Sequence, residues 1–425
     1  MNALLLPLTR YNLGMQRLQA FKYELMPSGE QQRDMHRFAG SCRFVYNKAL
    51  ALQKLNHAEG KNFIGYVPMA AMLPIWKREV GTKWLKQTPS QALQHTLKDL
   101  EKAYKNFFAK RTDFPRFKRK GVGDSFRFPE PKQIQLDQSN SRLYLPKLGW
   151  LRYRNCRDVL GEVRNVTINQ SCGKWYASIQ TLREVELTLL ETPTTATTAI
   201  GVDVGITRFA TMSDATYITP LNSFKKHQRR LARYQRRMSR KVKFSSNWNK
   251  AKAKVQKIHC TIANARKDFL HKTTTTISQN HALVCIEDLQ VRNMSKSSKG
   301  TTEQHGNKVK QKAGLNRAML DQGWGEFRRQ LEYKMAWSGG TLLAVAPQNT
   351  SRTCPCCSHV SRDNRLTQAR FVCVGCSYEN NADVVGAINI LERGYRLLAC
   401  GEPVQSGHSM KQEPTEVTRL ELALV

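Results

Sequence analysis

The chain has 425 residues, 40% apolar and 8% aromatic. It is too long for one ordinary domain and apolar enough for several cores, which excludes a globally disordered protein. Lys and Arg number 68 against 33 Asp and Glu, a formal charge of +35. So large an excess repels itself unless a polyanion neutralises it, and nucleic acid is the leading candidate. A basic membrane-surface protein would need an amphipathic or lipidated anchor, and none is visible. No apolar run approaches the ~20 residues of a membrane span. The stretch from Met1 to Pro7 lacks the basic start of a secretion signal. Five of the 11 cysteines crowd between Cys354 and Cys376. Without an export signal this predicts reduced thiols, a metal site and a cytoplasmic location, not a disulfide framework.

Residues 1–14 read as an upstream extension, with Met15 as a second possible start. Strand-like alternation follows, with Phe21, Tyr23 and Leu25 on one side. Pro27 to Glu30 reads as a turn into a helix that carries Met35, Phe38, Cys42 and Val45 at helical spacing, and Ser90 to Ala109 reads as another. From Tyr104 to Lys120 aromatic rings interleave with positive charge: Tyr104, Phe108, Phe114 and Phe117 among Lys110, Arg111, Arg116, Lys118 and Arg119. Rings can stack on bases while cations meet phosphates. The alternative is a helix end whose rings enter a core. Short β-rich runs from Phe126 to Arg183, such as Arg142–Leu145, Val163–Ile168 and Lys174–Ile179, predict a small β-barrel or sandwich with the first helices inserted. The polar stretch 191–198 reads as a linker.

Beyond it, Ala199 to Gly205 is a buried strand, followed by strands at Arg208–Met212 and Tyr217–Thr219. Phe224 to Lys272 is a long helical region with seventeen Lys or Arg against one acid, Asp268. Its densest part, Arg229, Arg230, Arg233, Arg236, Arg237, Arg240 and Lys241, is predicted to hold a nucleic-acid backbone, which carries little sequence information. A salt-bridged surface helix would carry compensating acids. A strand at Ala282–Ile286, a loop at Asn293–Gly314, a helix at Trp324–Trp337, a strand at Thr341–Val345 and a last helix from Ala382 complete an order that fits an RNase H-like sheet.

Three carboxylates fall in apolar strands or at their ends. Asp203 lies inside Ile-Gly-Val-Asp-Val-Gly, Glu287 follows Leu-Val-Cys-Ile, and Asp383 opens the last helix. A lone buried carboxylate is costly unless a cation compensates it. Three on adjacent elements make a site for hard divalent ions, and Mg²⁺ suits carboxylate oxygens and phosphates. Two ions ~3.5–4 Å apart can activate water and stabilise a leaving oxygen. Each acid also has a plain reading: a turn for Asp203, a salt bridge for Glu287 (or Asp288 as the acid that matters), and a helix cap for Asp383. Cys354, Cys357, Cys373 and Cys376 stand as two C-x₂-C pairs, the spacing of a structural zinc ribbon. Cys356 is surplus.

These residues resemble the TnpB family, encoded by insertion sequences that also carry the tyrosine transposase TnpA and similar to the ancestors of type V CRISPR effectors. The likeness spans Met15 to about Cys400. It rests on Gly-Val-Asp-Val-Gly at Gly201–Gly205, Ile286–Leu289, Thr350 through the second cysteine pair, Asn381–Ile390 and Cys42–Lys48. The resemblance implies an RNA-guided DNA endonuclease with a RuvC-type triad on Asp203, Glu287 and Asp383 holding two Mg²⁺, and one Zn²⁺ on the four cysteines. Its guide is expected from the transposon's right end, and its target is double-stranded DNA beside a short motif. The implied architecture is multidomain α+β: a wedge β-barrel over 15–190 with a helical recognition insert near 28–120, and a nuclease over 199–350 and 381–400. A zinc ribbon interrupts it at 351–380, and a loose tail covers 401–425. The family's usual Asn two residues after the last acid is Val385 here, followed by Gly386. The rival readings are a nuclease-inactive RNA-guided repressor, a strand-joining transposase and a guide-independent zinc-ribbon DNA-binding protein.

Overall fold

The computed structural model describes residues 13–187 and 199–399. The expected linker at 191–198, the tail at 401–425 and nearly all of the extension at 1–14 lie outside the described residues. The chain divides into two compact units near residue 186.

The first unit opens with β1 (Leu13–Met26). Its alternation buries Phe21, Tyr23 and Leu25. Ser28 caps α1 (Gly29–Ala58) through a reciprocal box with Gln31, and Met35, Phe38, Cys42 and Val45 face the core. α2 (Tyr66–Arg78), a 3-10 turn at Val80–Gln87, and α3 (Ser90–Phe108) follow. Then come β2 (Ser125–Phe128), β3 (Gln135–Asp137), β4 (Arg142–Leu145), β5 (Gly149–Tyr153), β6 (Glu162–Ser171) and β7 (Lys174–Leu187). They form one seven-stranded sheet in the order β2-β6-β7-β1-β5-β4-β3. A barrel was expected from the short β-rich runs; the described strands leave β2 and β3 at the two edges. A single apolar cluster joins helices and sheet, from Phe38 and Leu50 to Phe126 and Trp175. α2 was not legible because its apolar residues surround an internal Pro74.

The second unit begins with β8 (Ala199–Val204), β9 (Ala210–Met212) and β10 (Tyr217–Ile218). The expected long helical region is two helices, α4 (Ser223–Ser239) and α5 (Ser246–Asn280). Phe244 turns left-handed at φ 70°, and Ser245 caps α5 through the Trp248 N–H. The pair packs through Leu231, Val255, Ile258 and Ile262. β11 (Leu283–Glu287), a short α6 (Val291–Met294), α7 (Val309–Gln322), α8 (Trp324–Trp337) and β12 (Thr341–Val345) follow. α7 occupies part of the stretch expected to be loop, since its Lys- and Gln-rich turns carry little apolar periodicity. β13 (Arg370–Val372) and β14 (Glu379–Asn381) make a small hairpin before α9 (Ala382–Ala399).

The main sheet runs β10-β9-β8-β11-β12. β8, β11 and β12 are parallel, while β9 and β10 fold back antiparallel. Strand alternation sorts its two faces. Ile200, Val202, Val284 and Ile286 join Leu270, Ile277, Phe327 and Leu331 of α5 and α8. Ala199, Leu283, Cys285, Leu343 and Val345 join Ile390 of α9 on the other face.

Glycines let α9 approach closely. A Cβ on Gly201 would collide with the Ala387 carbonyl and stand 2.9 Å from Leu391 Cβ; one on Gly386 would stand 2.9 Å from Asp203 Oδ2. We expect Gly201→Ala to lower the stability of the second unit by about 1–3 kcal/mol, the usual cost of overpacking. Denaturant unfolding checks this; an unchanged midpoint would mean that α9 can move aside freely.

Candidate functional site

The alternation that sorts the faces also places the acids. Asp203 continues the Ala199–Gly201 phase, and Glu287 continues the Leu283–Cys285 phase, so both belong to the α9 side. Ile286 pairs with Val202 in parallel register; Glu287 and Asp203 stand one step further on, at the carboxyl ends of adjacent strands. That is where open sheets with parallel strands bind ligands. Asp383 lies in the first turn of α9, where the helix dipole favours an anion. All three are partly exposed, at the rim of the core rather than within it.

Burial, then the charges of Glu287 and Asp383, push the Asp203 carboxyl up to about 8, and Arg365 opposes them. Burial raises Glu287 too, against a hydrogen bond from Thr350 and the charge of Arg393. The Thr350 hydroxyl donates to Glu287 Oε1 at 2.6 Å. Arg365 Nη2 donates to Asp383 Oδ1 at 3.1 Å. Asp288 points elsewhere, to Arg328 of α8, so Glu287 is the acid of this cluster. Three carboxylates, two of them acting on Asp203 through their charge, form a donor set for a hard divalent cation. Sequence reasoning missed Thr350 as a partner, Arg365 and the Gly386 contact. Each lies in a segment quoted for its cysteines or acid, but only tertiary structure aims them at the carboxylates.

The four cysteines meet more tightly. Among the described residues, they are the one group of potential metal-ligating atoms in which all lie within 4.8 Å of one another; the three acids do not meet that closely, and Glu287 and Asp383 are bonded to Thr350 and Arg365. Cys354 and Cys376 sulfurs are 3.6 Å apart, as are those of Cys357 and Cys373. A sulfur tetrahedron with ~2.3 Å metal bonds has edges of about 3.8 Å, so the cluster fits zinc. The two pairs repeat one knuckle: Ser358 and Ser377 each follow the second cysteine at φ 59° and 58°, and their N–H groups return to Cys354 and Cys373. Cys356 lies outside the cluster.

The basic–aromatic segment divides. Tyr104 is only 5% exposed and packs against Phe63, Phe108 and Phe114, so the expected base-stacking role is corrected to packing. Phe114 is half-buried at the same core. Phe108 and Phe117 are exposed, as are Lys110, Arg111, Arg116 and Arg119, while Lys118 is half-buried with its Nζ over the Tyr46 ring. The seven cations from Arg229 to Lys241 are all exposed. Arg233, Arg236, Arg237 and Arg240 line a groove of about 590 Å³. Four guanidinium groups, three on α4 and one on the Arg240 that caps it, with no carboxylate in the groove lining, form an anion-binding surface. Asp321 of α7 fixes the start of that helix, accepting the Phe224 N–H on both oxygens at 2.9 and 3.0 Å. No described helix is long and apolar enough to cross a membrane.

The chain is similar to known proteins. Residues 178–298 match the family OrfB_IS605, described as "Probable transposase". Residues 324–390 match the "Cas12f1-like, TNB domain", and 15–62 match the "Helix-turn-helix domain" of the same OrfB group. Here that last span is β1 followed by one continuous helix. A protein of Escherichia coli K12, "Putative RNA-guided DNA endonuclease InsQ", is 57% identical over 404 residues, covering 95% of this chain and 99% of its own. A Streptomyces pristinaespiralis protein, "Putative RNA-guided DNA endonuclease", is 34% identical over 94% of this chain and 97% of its own. The solved "Cas12f1-sgRNA-target DNA complex" superposes with a TM-score of 0.50 at 12% identity, over 88% of this chain and 98% of that one; the likeness is one of fold.

The raised Asp203 carboxyl sets a pH dependence. Between the ordinary aspartate range and about 8, the folded chain holds a proton that the unfolded chain has released. Without added divalent ions, its contribution is present at low pH and lost as pH rises through about 8. Asp203→Asn cannot ionise, so its stability is expected to fall less between roughly pH 5 and roughly pH 8. Parallel urea titrations measure the difference; identical slopes would show an unperturbed carboxyl.

Proposed function

The chain belongs to the OrfB family of insertion-sequence proteins, the TnpB type, and we propose that it is an RNA-guided DNA endonuclease whose cutting centre is Asp203, Glu287 and Asp383. One observation carries the assignment of the centre: Asp203 and Glu287 are in phase on adjacent parallel strands and face the helix whose first turn carries Asp383. The sheet order, three antiparallel strands and then two parallel additions, supports an RNase H-like, RuvC-type nuclease.

Asp203, Glu287 and Asp383 are the groups that would hold two Mg²⁺. The ions, when bound, supply a nucleophile at neutral pH and neutralise charge at the phosphate. The chain's own side chains do the rest. Thr350 occupies one oxygen of Glu287 and would leave the other to an ion. Arg365 neutralises Asp383. The four cysteines would carry one structural Zn²⁺, with no open ligand position. The ribbon they build delivers Arg365 to the acids.

The partners follow from the charge. The arginines of α4 suit the phosphate backbone of a guide–target heteroduplex, held by shape and charge. Exposed Phe108 and Phe117, with the cations beside them, suit unstacked or single-stranded nucleic acid. The guide is an RNA from the transposon's right end and the target is double-stranded DNA. The first unit is the reader of a short motif beside the target, while base pairing reads the rest.

Purified protein with its RNA, matched DNA and Mg²⁺ should cut. Asp203→Ala should reduce cutting on the order of 10³-fold or more, while leaving target binding intact. Cutting that survives would remove Asp203 from the centre. Replacing Arg233, Arg236, Arg237 and Arg240 by Ala should weaken target binding alike for all matched sequences. The slope of log affinity against log salt should fall by about 0.7–0.9 per lost phosphate contact. An unchanged slope in filter-binding titrations would place the nucleic acid elsewhere.

A further inference from the structure

The loop after β12 touches both candidate metal centres, and one face of α9 clamps it. Asn389, 2% exposed, donates its two amide protons to the Thr350 and Thr353 carbonyls at 2.7 and 2.8 Å. One turn further along α9, Arg393 Nη1 donates to the Ala346 carbonyl at 2.7 Å. The Asn389 Oδ1 atom is buried without a partner, so this amide is placed to donate, and its acceptor half is left unsatisfied. Thr350 is 4% exposed. Its single hydroxyl proton has two possible acceptors, Glu287 Oε1 at 2.6 Å and the Pro347 carbonyl at 3.2 Å. The carboxylate is nearer and charged, so it takes the proton. Thr353 precedes Cys354, the first zinc-type ligand.

We propose that Asn389 and Thr350 form a positioning relay that holds the Glu287 carboxylate in one orientation for a divalent cation. Asn389 pins the loop through two carbonyls. The pinned loop presents the Thr350 hydroxyl. The hydroxyl occupies Oε1 and leaves Oε2 to the ion. Outer hydrogen bonds of this kind orient a ligand and tune its affinity. The relay rests on the reading of the acidic trio as the ion site, and the test separates the two.

The test uses the full chain loaded with zinc and guide RNA, titrated with Mn²⁺ and followed by electron paramagnetic resonance. The Asp203→Ala complex is the baseline for ions held by the RNA. Thr350→Val removes the hydroxyl and keeps the shape; it should weaken Mn²⁺ binding at the acidic site by about 10–100-fold. Zinc content and target binding should not change. Thr350→Ser should restore the parent affinity to within about threefold. Asn389→Asp keeps the size but not the donors, and should shift affinity in the same direction as Thr350→Val. The Mg²⁺ concentration for half-maximal cutting should move with the Mn²⁺ affinity.

Parent-like Mn²⁺ binding by Thr350→Val, where Asp203→Ala has lost it, overturns the relay and leaves the acidic site standing. Equal losses in the Val and Ser variants overturn the hydroxyl's role in favour of packing. Full binding by Asp203→Ala overturns the acidic site and the relay together. If Thr350→Val sheds its zinc, Thr350→Ala takes its place with the same opposed outcomes.

Discussion

Repulsion among three carboxylates is the constraint around which the second unit is arranged. Asp203 and Glu287 occupy neighbouring strand ends, and Asp383 faces them from α9. Burial first, and then the charges of Glu287 and Asp383, disfavour ionisation of Asp203, which is why its proton is held so far up. The surroundings offset part of that cost. The α9 N-terminus and the Arg365 guanidinium favour negative charge on Asp383, and the Thr350 hydroxyl favours it on Glu287.

Close approach of α9 makes the arrangement possible. Gly201 and Gly386 clear the contact between helix and β8, and Gly386 is the residue directly against the Asp203 carboxylate. This gives a physical account of the sequence after Asp383. Val385 is fully buried among Cys354, Phe371, Cys373 and Ala382, so it ties α9 to the cysteine ribbon instead of supporting the acids with a polar group. Polar support comes from the other direction, through Thr350 and Arg365, both on the segment between β12 and α9.

Much of this was legible before any coordinates. Strand alternation located β8, β11 and β12, and the break of that pattern by an acid marked Asp203 and Glu287. Cysteine spacing identified the four sulfurs that meet. What failed to show was whatever depends on partners distant in sequence. The interleaving of rings and charges around Tyr104 reads the same whether a ring faces solvent or core, and Phe63, far back in the chain, decides that Tyr104 faces inward. α7 hid because a helix packed by only a few residues, Met319 and Asp321 among them, needs no strong apolar stripe. The gap between α4 and α5 hid because Lys-Val-Lys-Phe-Ser-Ser carries no glycine or proline to signal a turn; Phe244 adopts the left-handed turn regardless.

Under the proposed function, the contrast between α4 and the acidic rim would let one chain bind a polyanion and also cut it. Affinity needs many diffuse positive charges, since each phosphate contact adds little and depends on salt. Chemistry needs a few negative groups in one place, to gather cations exactly where a phosphate must lose its charge. A uniformly basic surface would bind without selecting a point of attack, and an acidic cleft alone would repel the substrate. Holding the cations on an exposed helix, apart from the acids in sequence, would satisfy both requirements in one unit. The helix is anchored at its start by Asp321, so the basic surface and the acidic rim share one framework. The same logic limits what the arginines can specify: groups that see phosphates alike on every sequence cannot choose a target, and the choice must come from base pairing.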